Sequence, residues 1–208
     1  MTLPQALMAF SLAAALLTIT PGLDTALVLR TAATEGPRRA LAAAVGIGTG
    51  CLVWGVVAAC GAGALLTASA TAYTALKWAG AAYLVWVGVK LIARPRDSFE
   101  PGTLSPTGGG AAASLRRGLL TNLLNPKVGV FYISFLPQFV PAGADPAIFG
   151  VLLAAIHVVM GLLWAGLLIA ATGPLVGLLR EASVIRWLDR ITGGVFLAFG
   201  LRLALERR

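Results

Sequence analysis

Long apolar runs, punctuated by prolines, glycines and a few charges, organise this chain. A helix needs about 20 mostly apolar residues to cross a bilayer core, and dividing the sequence at its charges and breakers predicts six such segments. The first covers residues 7–34 and is interrupted near Pro21. The interval between Arg39 and Lys77 carries no charge and is too long for one span. It predicts a helix over residues 41–66, a polar turn over 67–74 and a third helix over 74–93. Residues 95–114 hold Pro95, Pro101, Pro106, the glycines 108–110, Asp97 and Glu100, a composition that predicts a flexible linker. Beyond it come a fourth segment over residues 115–139 interrupted at Pro126, a fifth over 146–179 and a sixth over 183–205.

The two sides of the linker follow one plan. Each opens with a helix broken at a proline, continues with a long glycine-containing helix and closes with a third. In that third helix Lys77, Gly80, Tyr83 and Leu84 recur as Arg190, Gly193, Phe196 and Leu197, with Gly88 and Lys90 echoed further on by Gly200 and Arg202. Three spans per half is an odd number, so the halves insert with opposite orientation. The expected fold is an all-α polytopic membrane protein, six transmembrane helices in a 3+3 inverted repeat with broken first and fourth helices. Its units are residues 1–94, the loop 95–114, and residues 115–208.

Composition agrees. Of 208 residues 58% are apolar and 12% charged, with a mean hydropathy of +0.88, about half the charge of an ordinary soluble domain. The net charge of +8 raises nucleic acid as a partner, but the basic residues lie between apolar runs instead of forming one patch, so none is expected. Eleven of them follow the first, third and fifth segments and four lie on the other side, with Lys127 inside a span. Positive charge collects on the cytoplasmic face, which places the 95–114 loop there and both termini outside. No basic cluster precedes the first apolar run, so that run is expected to be retained and not cleaved.

The run Thr20, Pro21, Gly22, Leu23, Asp24 carries the strongest chemical signal. Proline suits the first turn of a helix because it has no amide proton to leave unpaired, and a threonine before it can cap the free amides. The reading is a helix that stops and restarts within the membrane. Asn122, Asn125, Pro126 and Lys127 repeat the device in the second half, with asparagine as cap. The bland alternative makes each proline a kink, which membrane helices tolerate. Two breaks at corresponding places, each followed by an ionisable residue, favour a central polar site, since amide-rich helix starts receive carboxylates. An aspartate at mid-bilayer costs about 2.5–3.5 kcal/mol on insertion scales, so Asp24 needs a partner or a task. It either binds an ammonium group or proton while Lys127 attracts a carboxylate, or it forms a structural ion pair with Lys127. The expected substrate-binding set is Thr20, Pro21, Gly22, Asp24, Asn122, Asn125, Pro126 and Lys127.

Other candidates are weaker. Gly46, Gly48 and Gly50 resemble a phosphate-loop fragment but lie in a charge-free helix without a following lysine; close helix packing is expected of them, and of Gly61 and Gly63. His157, the single histidine, either lines a pathway or fills a packed site. Trp54 and Trp164 occupy matching helices and either anchor the core or flank a cavity. Cys51 and Cys60, nine residues apart on one helix, point to opposite sides and cannot bridge. The sequence holds no metal-ligand spacing, no catalytic motif and no nucleotide loop, so no metal, cofactor or enzymatic activity is expected.

These residues resemble the lysine exporter and homoserine/threonine resistance family of amino-acid efflux proteins (LysE/RhtB) over nearly the whole chain. The likeness runs through Thr20–Asp24, Gly36–Arg39 and Ala44–Gly50, then through Gly118–Lys127 and Phe135–Phe139. It implies a multi-pass secondary transporter of the cytoplasmic (inner) membrane that exports amino acids or close derivatives, zwitterionic small molecules, by exchange for protons. A homo-oligomer is compatible with it. The competing class is a membrane thiol-redox or assembly component on the same fold plan, although that class carries cysteines beside its broken helices. One departure stands out: where the family has a second proline after the Pro-Gly pair, this chain has Leu23, which restores one backbone amide.

Overall fold

The computed structural model describes residues 2–68, 70–97, 109–141, 143–171 and 181–205. Among them the chain is helical, without strands. Helix α1 (Leu3–Ile19) starts where Thr2 N donates to Gln5 Oε1 at 2.9 Å, and is followed by α2 (Leu23–Glu35). Gly36, at φ 89, turns the chain through a conformation that favours glycine and delivers Pro37 to the first position of α3 (Pro37–Ala68). Next come α4 (Ala70–Ala93), α5 (Ala111–Leu123) and α6 (Pro126–Val130). Helix α6 widens into a π turn over Phe131–Phe135 and tightens into a 3-10 turn over Leu136–Phe139. Pro137 explains the irregularity, because its ring excludes the carbonyl four residues back. Helix α7 (Pro146–Ala170) is capped by Asp145, which accepts from Ile148 N at 2.9 Å, and α8 spans Ala182–Leu205.

Length and apolarity let two helices cross a membrane on their own, α3 over Pro37–Gly61 and α7 over Pro146–Ala170. The pair α1 and α2, bent by 51°, and the pair formed by α5 with Pro126–Phe139, bent by 56°, meet the same standard when each is taken as one span. The expected breaks at Pro21 and Pro126 are therefore present. Helices α4 and α8, 24 residues each, are about 36 Å long. The polar turn expected over residues 67–74 is not found as drawn: α3 continues to Ala68 and α4 has begun by Ala70. Helix α5 opens at Ala111, inside the expected linker. Residues 98–108 of that linker and the expected end of the fifth helix lie outside the described residues. The linker's start is tied down, not free. Arg96 grips the fully buried Asp189 of α8 through its backbone N, Nε and Nη2 at 3.0, 2.9 and 2.5 Å, and Arg186 meets Asp97 at 2.8 Å.

Small residues set the packing. A Cβ on Gly46 would strike the carbonyl of Leu115, and one on Gly118 the carbonyl of Ala43, so α3 and α5 lie backbone against backbone. Gly88 meets Gly193 and Leu197 while Gly200 meets Ala81 and Val85, which makes α4 and α8 antiparallel. By the same logic Gly55 against Ala154 and Gly150 against Ala59 make α3 and α7 antiparallel. Gly61 departs from expectation, since a Cβ there would meet nothing within 4 Å; the surroundings of Gly63 are outside the described residues. The largest core cluster contains the aromatic rings of Phe10, Phe131, Phe135 and Phe139 with Phe199 packed against them, neighbouring rings lying 4.1–6.0 Å apart. A thinner apolar layer of Val28, Ala44 and Ala165 lies elsewhere, among α2, α3 and α7. At the end of α2, Glu35 ties the start of α3 to the middle of α5, accepting from Arg117 at 2.7 Å on each oxygen and from Arg39 at 3.5 Å.

Candidate functional site: a polar cavity between two helix breaks

The two breaks are built differently. At the second, Asn125 caps α6 as expected: its Oδ1 accepts from Lys127 N at 3.1 Å, and Pro126 follows at the first helical position. At the first, α1 stops at Ile19 and α2 restarts only at Leu23 with Gly22 as its cap. Thr20 therefore ends α1 instead of starting α2. Its Oγ1 donates to Leu16 O at 2.6 Å and accepts from Thr192 of α8, also at 2.6 Å. Pro21 is buried in the gap. Because glycine has no side chain, the first amides of α2 have no side-chain cap. Leu23 contributes one of those amides, which a proline would have removed.

Asp24, in the first turn of α2, accepts at Oδ2 from Asn122 Nδ2 at 2.8 Å. Asn122 is fully buried; it also contacts Cys51 Sγ at 3.4 Å and presses against Gly50, and its backbone carbonyl accepts from Trp54 Nε1 at 3.4 Å. Lys127 does not form the ion pair with Asp24 that the sequence left open. Its Nζ lies 3.4 Å from both Leu17 O and Thr20 O, at the carbonyl end of α1, where a cation is favoured by the helix dipole. On α7, His157 Nδ1 pairs with Tyr132 Oη at 2.9 Å.

These groups surround a cavity of about 90 Å³, roughly the liquid volume of three waters. Thr20, Gly22, Asp24, Asn125 and Lys127 line it; Asn122 backs Asp24 from behind, and Pro21 and Pro126 shape the breaks without lining it. The α7 wall presents His157, Gly161 and Trp164. Their spacing of four and then three residues puts them on one helix face. Sequence reading raised His157 and Trp164 singly and missed the stripe, whose signal was that spacing. Trp54 lies behind Asn122 and off the cavity. Among the described residues no group of three or more metal-ligating side chains gathers.

The sequence model of the LysE type translocators matches residues 15–207 of this chain. The chain belongs to the LysE type translocator family. Three relatives illustrate its range. The chain is 30% identical to a homoserine/homoserine lactone efflux protein of Salmonella typhimurium, over 96% of each chain. It is 29% identical to a leucine efflux protein of Klebsiella pneumoniae, over 89% of this chain and 88% of the relative. To a threonine efflux protein of Escherichia coli it is 27% identical, over 91% of this chain and 92% of the relative. No solved structure matches the chain. As a LysE type translocator with several apolar helices it is a multi-pass membrane protein. The thiol-redox alternative finds no support: Cys51 is buried against Asn122, Cys60 is exposed, and neither is in a disulfide.

Proposed function

We propose that this chain is a secondary transporter that exports a small amino acid or close derivative across the cytoplasmic membrane in exchange for protons. The observation that carries the reading is the cavity between the two helix breaks, where a carboxylate and an ammonium face one space without pairing with each other. A zwitterion has the complementary charges. Its ammonium is taken by Asp24, or the counter-transported proton is. Its carboxylate is received by Lys127 and the uncapped first amides of α2, while Asn125 and Thr20 add polar contacts. Gly22 keeps the approach open: a Cβ there would stand 3.9 Å from Lys127 Nζ.

The wider architecture supports the same reading. Two bent spans of similar angle, the antiparallel pairs α3/α7 and α4/α8 and the recurring third-helix residues fit a six-span inverted repeat with its site at the repeat interface. In that arrangement the basic loops, including residues 95–114, face the cytoplasm. The relatives' efflux of homoserine, leucine and threonine points to amino acids as cargo.

The test is a growth assay in a sensitive host challenged with amino acids, analogues and dipeptides, run beside Asp24→Asn. The wild type relieves the toxicity of at least one amino acid in a manner that collapses with the pH gradient. Asp24→Asn reaches the membrane at wild-type level but gives no net export. Undiminished efflux from that variant counts against the mechanism.

A further inference from the structure

Two polar atoms on the cavity side chains have no hydrogen-bond partner although both are buried: Asp24 Oδ1, an acceptor, and Trp164 Nε1, a donor. Buried polar groups are nearly always satisfied, and exceptions call for a physical reason. Here the two exceptions have opposite hydrogen-bonding character and line one cavity from different helices, α2 and α7. Trp164 belongs to the apolar cluster that also holds Ile19 and Ala26, the residues on either side of the first break. One turn back, a Cβ on Gly161 would meet nothing within 4 Å, so the wall between His157 and Trp164 is recessed.

We propose that Trp164 is a cargo-binding residue whose Nε1–H donates to the carboxylate of the exported amino acid, while Asp24 Oδ1 accepts from its ammonium and the Gly161 recess takes up part of its bulk. This rests on the exporter reading and extends it to α7. The indole matches that role because it is a donor only and rigid. It adds directional recognition of the carboxylate beside the point charge of Lys127. Binding then satisfies both orphaned atoms at once, which favours a cargo carrying both groups over a bare amine.

Trp164→Phe keeps an aromatic ring on the cavity wall and removes the donor. Export is measured for homoserine, threonine and leucine, with inhibition by each amino acid compared with inhibition by its decarboxylated amine. In Trp164→Phe, KM for the exported amino acid rises about tenfold, the size of a lost hydrogen bond to a charged group, while inhibition by the amine is unchanged. An unchanged KM, or equal weakening for acid and amine, overturns the inference. Gly161→Val serves as a second variant because space is open there. It retains wild-type thermal stability and weakens export of leucine more than that of threonine, and equal export of both at wild-type KM also overturns the inference. If the wild type exports no amino acid of the growth panel, the exporter reading falls and this inference with it; if the wild type exports and Trp164→Phe matches it, this inference alone falls.

Discussion

Gly50→Ala tests whether the cavity's acid is positioned from behind. An ideal Cβ on Gly50 would lie 2.6 Å from Asn122 Oδ1, 2.9 Å from its Cβ and 3.0 Å from its Cγ. Ordinary contact begins near 3.4 Å, so the Asn122 amide must retreat by several tenths of an ångström in a site where it is 0% exposed. The hydrogen bond it donates to Asp24, now 2.8 Å, is strained or lost. Overpacking of this kind costs about 1–3 kcal/mol. Gly61→Ala, on the same helix but facing open space, is the control and is expected to be neutral or stabilising by up to about 1 kcal/mol. Thermal unfolding of the two purified variants in detergent, beside their export kinetics, separates the effects. Gly50→Ala lowers the midpoint and raises KM, while Gly61→Ala does neither. Should the two behave alike in both assays, Asn122 is not held by Gly50 and its positioning of Asp24 is refuted.

Two further outcomes follow from the packing and ion pairs. Gly118→Ala drives a methyl into the Ala43 carbonyl and cannot be relieved by a rotamer change, so membrane-inserted, folded protein falls more steeply than for Gly50→Ala, read as the fraction surviving detergent extraction and size-exclusion chromatography. Glu35→Gln weakens a pair in which Glu35 is 5% and Arg117 28% exposed; partial exposure of the arginine brings the loss below the about 3–5 kcal/mol of a fully buried pair, to about 1–3 kcal/mol. A double-mutant cycle with Arg117→Gln measures the coupling, and additive losses would rule the pair out as a link between α2 and α5.

Much of this arrangement was legible because bilayer physics leaves few options. Runs of apolar residues must become helices, and a proline next to a small or polar residue inside such a run marks a break. Both breaks and the polar residues around them were read that way. What the pattern could not give was which side of a break a residue serves. Thr20 looks like a cap for the helix that follows, yet it closes the helix before, because Gly22 takes the cap position and Thr192 offers a partner 172 residues away. The linker's start looked mobile from its prolines, but Asp189 of α8 fixes Arg96 through three hydrogen bonds. Gly61 looked like a packing glycine from its composition, and only tertiary placement could show its face to be open. Each miss concerns a long-range partner, to which local periodicity is blind.

The asymmetry of the two breaks bears on how the proposed exporter moves. The first break is completed by groups from the other half of the chain. Asn122 of α5 braces Asp24 of α2, Lys127 of α6 caps the carbonyl end of α1, and Thr192 of α8 holds Thr20. Any rocking of one half against the other must lengthen these bonds, and two of them, at 3.4 Å, are already long. A cargo carboxylate that draws Lys127 away from Leu17 and Thr20 removes a link between the halves at the same moment as it occupies the cavity. Binding and release of the latch are then one event, the differential interaction that a ligand needs in order to shift a conformational equilibrium. The α6 start cannot serve in the same way, because Asn125 already satisfies the Lys127 amide. In the proposed mechanism cargo recognition therefore falls to the break with the glycine cap, and the proline-opened helix contributes its lysine.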